Sequence, residues 1–303
     1  MDRRNFIKNL CVAGVTSAAL PSLAEASGKP AETEFMSVLV DTTRCIGCRN
    51  CEVACATQND LPIPKTTRDV FKEERDMTTD QWTVVNKYDT DAGEVFVKKQ
   101  CMHCNQAACS TACLTQAMYK TEEGPVIWRE GKCMGCRFCM VSCPFVVPRF
   151  EYYSANPKIQ KCILCYDRVI EGEKPACVDA CPVDALEFGF RRDMERVAQN
   201  RTFEYPGQYI DHIYGQEEVG GTGWMYLSGV PFDQLGFRTD LGRESVPALT
   251  QNFLYSVPVV FLLWPAFLNG MRYIKTNEDD EHTDKTHNDV ASVETGRGPG
   301  EES

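Results

Sequence analysis

Sixteen of the chain's seventeen cysteines fall into four runs of four. The runs are Cys45, Cys48, Cys51, Cys55; Cys101, Cys104, Cys109, Cys113; Cys133, Cys136, Cys139, Cys143; and Cys162, Cys165, Cys177, Cys181. The first and third share the spacing C-x2-C-x2-C-x3-C, and the third and fourth end in Cys143-Pro144 and Cys181-Pro182. A [4Fe–4S] cube needs one soft thiolate at each iron corner. Two residues between ligands let a tight loop set three sulfurs around one face of a cube. The wider gap before the last cysteine is about one helical turn and sends that side chain toward a neighbouring cube. Sixteen thiolates at four per cube predict four cubes.

The surrounding residues fit that chemistry. Gly47 and Gly135 sit inside Cys45-Ile-Gly-Cys48 and Cys133-Met-Gly-Cys136, where a side chain would crowd the inorganic core. Proline after the fourth cysteine stops the short helix. Structural zinc explains the CxxC doublets but neither the tight third cysteine nor the Cys-Pro ending. Disulfides suit an exported chain, yet CxxC neighbours make poor structural bridges. His103, within Cys101-Met-His-Cys104, is read as a spacer beside a full set of thiolates. Arg44, Arg49, Lys98, Lys99, Lys132, Arg137, Lys158, Lys161 and Arg168 lie near the runs, where cations would stabilise anionic cubes and raise their potentials.

The chain has no Walker loop, no nicotinamide fingerprint and no open metal triad, so no catalytic residue is assigned and an electron carrier is expected. Its net charge of −11 is concentrated in the tail, where residues 277–303 hold nine acids against Lys285 and Arg297. No feature points to nucleic acid.

Further segments organise the chain. Arg3-Arg4-Asn-Phe6-Ile7-Lys8, an apolar stretch from Leu10 to Leu20 and Ala24-Glu25-Ala26 read as a twin-arginine signal over residues 1–26, with Cys11 discarded in it. That route carries folded cargo, as cubes built in the reducing cytoplasm require. Strands are expected at Val38–Arg44, Glu94–Lys99, Pro125–Arg129 and Leu186–Phe190, each beside a cysteine run. A hairpin is expected over Asp89–Gly93. The reading is an α+β fold: a duplicated two-cluster ferredoxin-like domain over 37–200 with an insertion at 56–100. An extended partner-binding arm follows over 201–250, then one transmembrane helix over 251–271 with Pro258 and Pro265 inside, then a disordered acidic tail over 272–303. Arg272 and Lys275 place that tail in the cytoplasm and the cluster domain outside.

The four runs, the strand–loop–turn order, and the segments His212–Gly215, Gly220–Thr222 and Tyr226–Pro231 resemble the four-cluster iron–sulfur subunits of membrane-bound respiratory oxidoreductases. The signal, the Cys-Met-His-Cys run and the tail helix are similar to the HybA-type subunits of periplasm-facing nickel–iron hydrogenases. The beta subunit of membrane formate dehydrogenase also looks similar, and a molybdenum or tungsten enzyme is the alternative partner. The resemblance implies a ligand pairing: Cys45, Cys48, Cys51 and Cys181; Cys162, Cys165, Cys177 and Cys55; Cys101, Cys104, Cys109 and Cys143; Cys133, Cys136, Cys139 and Cys113. It implies a non-catalytic relay from small and large catalytic hydrogenase subunits to an integral, HybB- or NrfD-like quinone-reactive subunit, at the periplasmic face of the bacterial inner membrane. Ala56 and Leu114 stand where ferredoxins often carry proline; this alters turn stiffness and not ligation.

Overall fold

The protein is described by a computed structural model covering residues 34–294. The signal reading over 1–26, with Cys11, and residues 295–303 lie outside the described residues.

Strand β1 (Met36–Asp41) alternates little; Val38, Leu39 and Val40 are all buried, as befits a strand covered on both faces. It is the middle of a three-stranded sheet. β8 (Leu186–Phe190) pairs with it antiparallel, with Val38 opposite Phe188. β9 (Trp224–Leu227) pairs with it parallel, with Val40 opposite Tyr226. Between β1 and β8 lie the helix of the first run, α1 (Asn50–Gln58), and the hairpin of β2 (Val84–Thr90) and β3 (Gly93–Lys99). Next come α2 (Ala108–Thr111), the β4–β5 pair (Met118–Lys120, Val126–Trp128) and α3 (Phe138–Ser142). The short β6–β7 pair (Arg149–Phe150, Ile159–Gln160), α4 (Tyr166–Ile170) and α5 (Ala176–Asp179) complete the cysteine-bearing part. α6 (Arg191–Glu204) then covers the sheet, with Ala198 against Leu39, Met225 and Leu227.

The stretch expected as an arm over 201–250 supplies a strand to the core sheet. Trp224, Met225, Tyr226 and Leu227 are fully buried in the core sheet, because four consecutive large apolar residues release most free energy when covered on both faces. α7 runs from Val246 to Glu294 and so contains the span expected over 251–271. No glycine or proline interrupts the chain between Arg272 and Glu294, so a helix already nucleated upstream propagates cheaply.

The apolar part of α7, Val246–Tyr273, is long and apolar enough to cross a membrane and buries none of that window. Pro258 and Pro265 lie inside the helix, where a membrane span tolerates them. The helix root is tied to the cysteine-rich part by Ser245 Oγ donating to Gln106 Oε1 at 2.5 Å.

Candidate iron–sulfur sites

Each CxxC turn bends the same way. The residue before the second cysteine has positive φ in all four runs: Gly47 (67°), His103 (47°), Gly135 (71°) and Leu164 (55°). Only two of these are glycine, so the loop geometry is imposed on His103 and Leu164 by their surroundings. Alternation of right- and left-handed residues turns successive backbone N–H groups into one concavity, the arrangement that receives phosphates and iron–sulfur groups. A second left-handed residue follows the last cysteine at the same offset in three runs: Gln116 (52°), Val146 (51°) and Asp184 (49°). Leu114 replaces proline in one of these turns, and the Gln116 N–H still donates to the Cys113 carbonyl at 3.0 Å.

The structure brings cysteines distant in sequence together. Cys45, Cys48, Cys51 and Cys181 line one cavity, with Lys98 on its wall. Cys55 lies within electrostatic reach of Cys165 and Cys177, and Cys162 of Cys55 and Cys177. Cys104 has Cys101, Cys143 and Cys109 as its neighbours. Cys139 has Cys113, Cys133 and Cys136. The groups also lie within electrostatic reach of one another in series: Cys51 of Cys177, Cys162 of Cys101, and Cys109 of Cys139. The thiols therefore form one connected series in which Cys55, Cys101, Cys109, Cys162, Cys165 and Cys177 are buried, whereas Cys48 and Cys136 are exposed. Ile46 flanks Cys48, and Met134, Phe138 and Val141 flank Cys136, all exposed.

All sixteen described cysteines are free, so no disulfide joins them. Among the described residues no three His, Cys, Asp or Glu side chains converge on a single ion position. Tetrahedral zinc would draw four sulfurs to about 3.8 Å from one another, twice a 2.3 Å bond projected along a tetrahedron edge.

Electrostatics fit the same occupant. Burial pushes the thiols up: Cys45 to about 11, Cys55 and Cys109 to about 12, Cys139 to about 11. Cys51, Cys104 and Cys162 are also raised well above the usual thiol range, by burial first. Such sulfurs stay protonated unless a coordinated metal removes the proton. Cys113 is the exception. Burial pushes it up, but the Met118 N–H at 3.4 Å and the Thr115 hydroxyl at 3.7 Å outweigh that and lower it. Among the described residues, buried lysines near the thiols have no carboxylate partner. Lys98 and Lys161 are 3% and 2% exposed. Lys120 is depressed to about 8, by burial first and also by Lys161, against the pull of Cys104 and Cys101. Anionic cubes would compensate these charges.

His103 is held away from ligation. Its Nδ1 accepts the Val126 N–H at 2.8 Å, and burial holds the imidazole neutral. A carboxylate next to the first run proves more important than the sequence suggests. Glu52, 2% exposed, accepts from Arg49 Nη2, Arg75 Nη2 and the Val85 N–H, each at 2.6 Å. It fastens the insertion to α1; one acid between Cys51 and Cys55 gave no pattern to recognise.

A family model for the 4Fe-4S dicluster domain matches residues 93–191. A protein of Nitratidesulfovibrio vulgaris is 46% identical over 280 residues, 89% of this chain and 76% of that one. The hydrogenase-2 operon protein HybA of Escherichia coli is 31% identical over 325 residues, 94% of this chain and 98% of that protein. The formate dehydrogenase-O iron-sulfur subunit of Escherichia coli is 34% identical over 202 residues, covering 64% and 67%. With its sixteen free cysteines, the protein is one that holds four [4Fe–4S] clusters.

Proposed function

This chain belongs to the family of iron–sulfur electron-transfer subunits that includes HybA and the formate dehydrogenase iron–sulfur subunits, and we propose that it relays electrons from a periplasmic hydrogenase catalytic module to a quinone-reactive membrane subunit. The observation that carries this reading is the connected series of thiols, with Cys55, Cys101, Cys109, Cys162, Cys165 and Cys177 buried and Cys48 and Cys136 exposed. When bound, a [4Fe–4S] cube accepts and releases one electron with no bond to its ligands made or broken.

The ligand sets are those implied by the family pairing. Cys45, Cys48, Cys51 and Cys181 hold the first cluster, and Cys55, Cys162, Cys165 and Cys177 the second. Cys101, Cys104, Cys109 and Cys143 hold the third, and Cys113, Cys133, Cys136 and Cys139 the fourth. The neighbourhoods of Cys104 and Cys139 and the cavity of Cys45 support these sets. The two halves read as a duplication, supported by the shared left-handed turns. The chain's own work is to shorten each gap, exclude water and adjust each potential. Met77, Val84 and Val147 close the space around Cys101 and Cys162. Backbone N–H groups reach sulfur, as from Leu164 to Cys162 at 3.3 Å.

Export by the twin-arginine route, a periplasmic position and a spanning α7 complete the reading. The unburied apolar window of α7 supports the anchor. The likeness to HybA, which runs nearly the full chain, favours hydrogenase over a formate dehydrogenase or another molybdenum or tungsten enzyme. Metal analysis of the purified complex tests that choice: nickel supports it, and molybdenum or tungsten rejects it. In the assembled complex, Cys136→Ser should stop quinone reduction while hydrogen oxidation by an upstream dye persists. Equal loss of both would reject the relay.

A further inference from the structure

Lys98 lies at the end of β3, and its ammonium is buried among sulfurs. Burying an ammonium costs several kcal/mol unless an anion compensates it. Among the described residues no carboxylate pairs with it. Its polar partner is Gln100 Oε1 at 2.9 Å, and it stands 4.4 Å from the centre of the Trp224 ring. Gln100 Nε2 donates to the Tyr226 hydroxyl at 2.6 Å, and that hydroxyl donates to the Lys98 carbonyl at 3.0 Å. This closed ring ties β3 to β9 and fixes the ammonium. On one side Lys98 walls the cavity lined by Cys45, Cys51 and Cys181. On the other it faces Cys162 and Cys177. One cation thus serves two quartets.

We propose that Lys98 is a shared potential-setting residue, raising the midpoints of the two clusters on either side of it together. Reduction adds an electron to a group that is already anionic. A fixed positive charge therefore favours the reduced state, and more strongly where water is excluded. Because the ammonium sits between the two quartets, it lifts both potentials, so neither cluster becomes a trap for the electron. Lys161 occupies the corresponding place in the other half. Its ammonium donates to the Val126 and Cys162 carbonyls and lies beside Cys109 and Cys143. The two lysines thereby divide the series.

The inference rests on the ligand sets proposed above, and iron content tests those separately. The measurement is a redox titration followed by low-temperature electron paramagnetic resonance on the full-length protein in its complex. Lys98→Met should retain about sixteen irons and make two clusters at least about tenfold harder to reduce, about 59 mV for one electron. Lys98→Arg should leave both near the wild-type value. Lys161→Met should move a centre that Lys98→Met does not. Unchanged midpoints in an iron-replete Lys98→Met protein would overturn the proposal, as would an equal shift of all four. If Lys98→Met loses iron, Lys98→Arg decides: full iron with both midpoints kept supports the role of the charge, and loss of the same two clusters overturns it.

Discussion

Cys101 and Cys162, which belong to different runs and different quartets, share one buried apolar cluster with Met77, Val84 and Val147. In the proposed ligand sets this contact joins the two clusters of the first and fourth runs to the two of the second and third. With it, the proposed redox centres form one connected series.

Interrupting that contact should therefore uncouple the halves. Cys162→Ser is expected to remove one cluster, lowering iron from about sixteen to about twelve per chain, while the terminal cluster near Cys136 remains reducible by a small dye. Iron assay combined with reductive titration checks this; full electron transfer between partners in the twelve-iron protein would contradict it.

Glu52 should be a large stabiliser. Its carboxylate holds Arg49 and Arg75 at 2.6 Å each, with Arg49 buried beside it. Removing one member of such a group leaves uncompensated buried charge, so Glu52→Ala should cost about 3–5 kcal/mol. Thermal unfolding followed by loss of cluster absorbance measures it; a change below about 1 kcal/mol would contradict the buried geometry.

Gly47 and Gly135 occupy the same place in two turns but should not respond alike. Both have positive φ, so alanine costs about 1–2 kcal/mol at each. A Cβ on Gly47 would also meet the Phe96 ring at 2.5 Å, a clash with the protein itself, whereas one on Gly135 meets no protein atom within 4 Å and can crowd only the cluster. Gly47→Ala should thus be clearly the more damaging in thermal unfolding. Equal effects would show that Phe96 moves aside without cost.

The buried lysines tie folding to the clusters. Stripping iron with a chelator under anaerobic reducing conditions leaves Lys98 and Lys161 buried with no anion to face. Near-ultraviolet circular dichroism should collapse as iron leaves. A chelated protein that keeps its native signal would show that the thiols alone support the fold.

The four clusters were legible in the sequence because thiolate spacing is a local constraint: a CxxC turn suits one face of a cube. The strands before Cys45 and Cys101 were legible because Val38–Val40 and Val95–Lys99 alternate or run apolar beside a turn. The place of Trp224–Leu227 was not, since a parallel partner 186 residues away from Val38 leaves no mark on local pattern. Lys98 could be noticed as basic, but its burial depends on Trp224 and Tyr226, which arrive from that distant strand. The left-handed φ of His103 and Leu164 was masked by their side chains; the shared CxxC offset with Gly47 and Gly135 was the available clue.

The most direct test is stepwise reduction of the anaerobically purified full-length protein, with iron, sulfide and low-temperature paramagnetic resonance measured on one sample. The account predicts about sixteen irons and as many acid-labile sulfides per chain, and four one-electron signals broadened by their neighbours. Stoichiometric zinc, or fewer than four such centres in fully assembled protein, would contradict it.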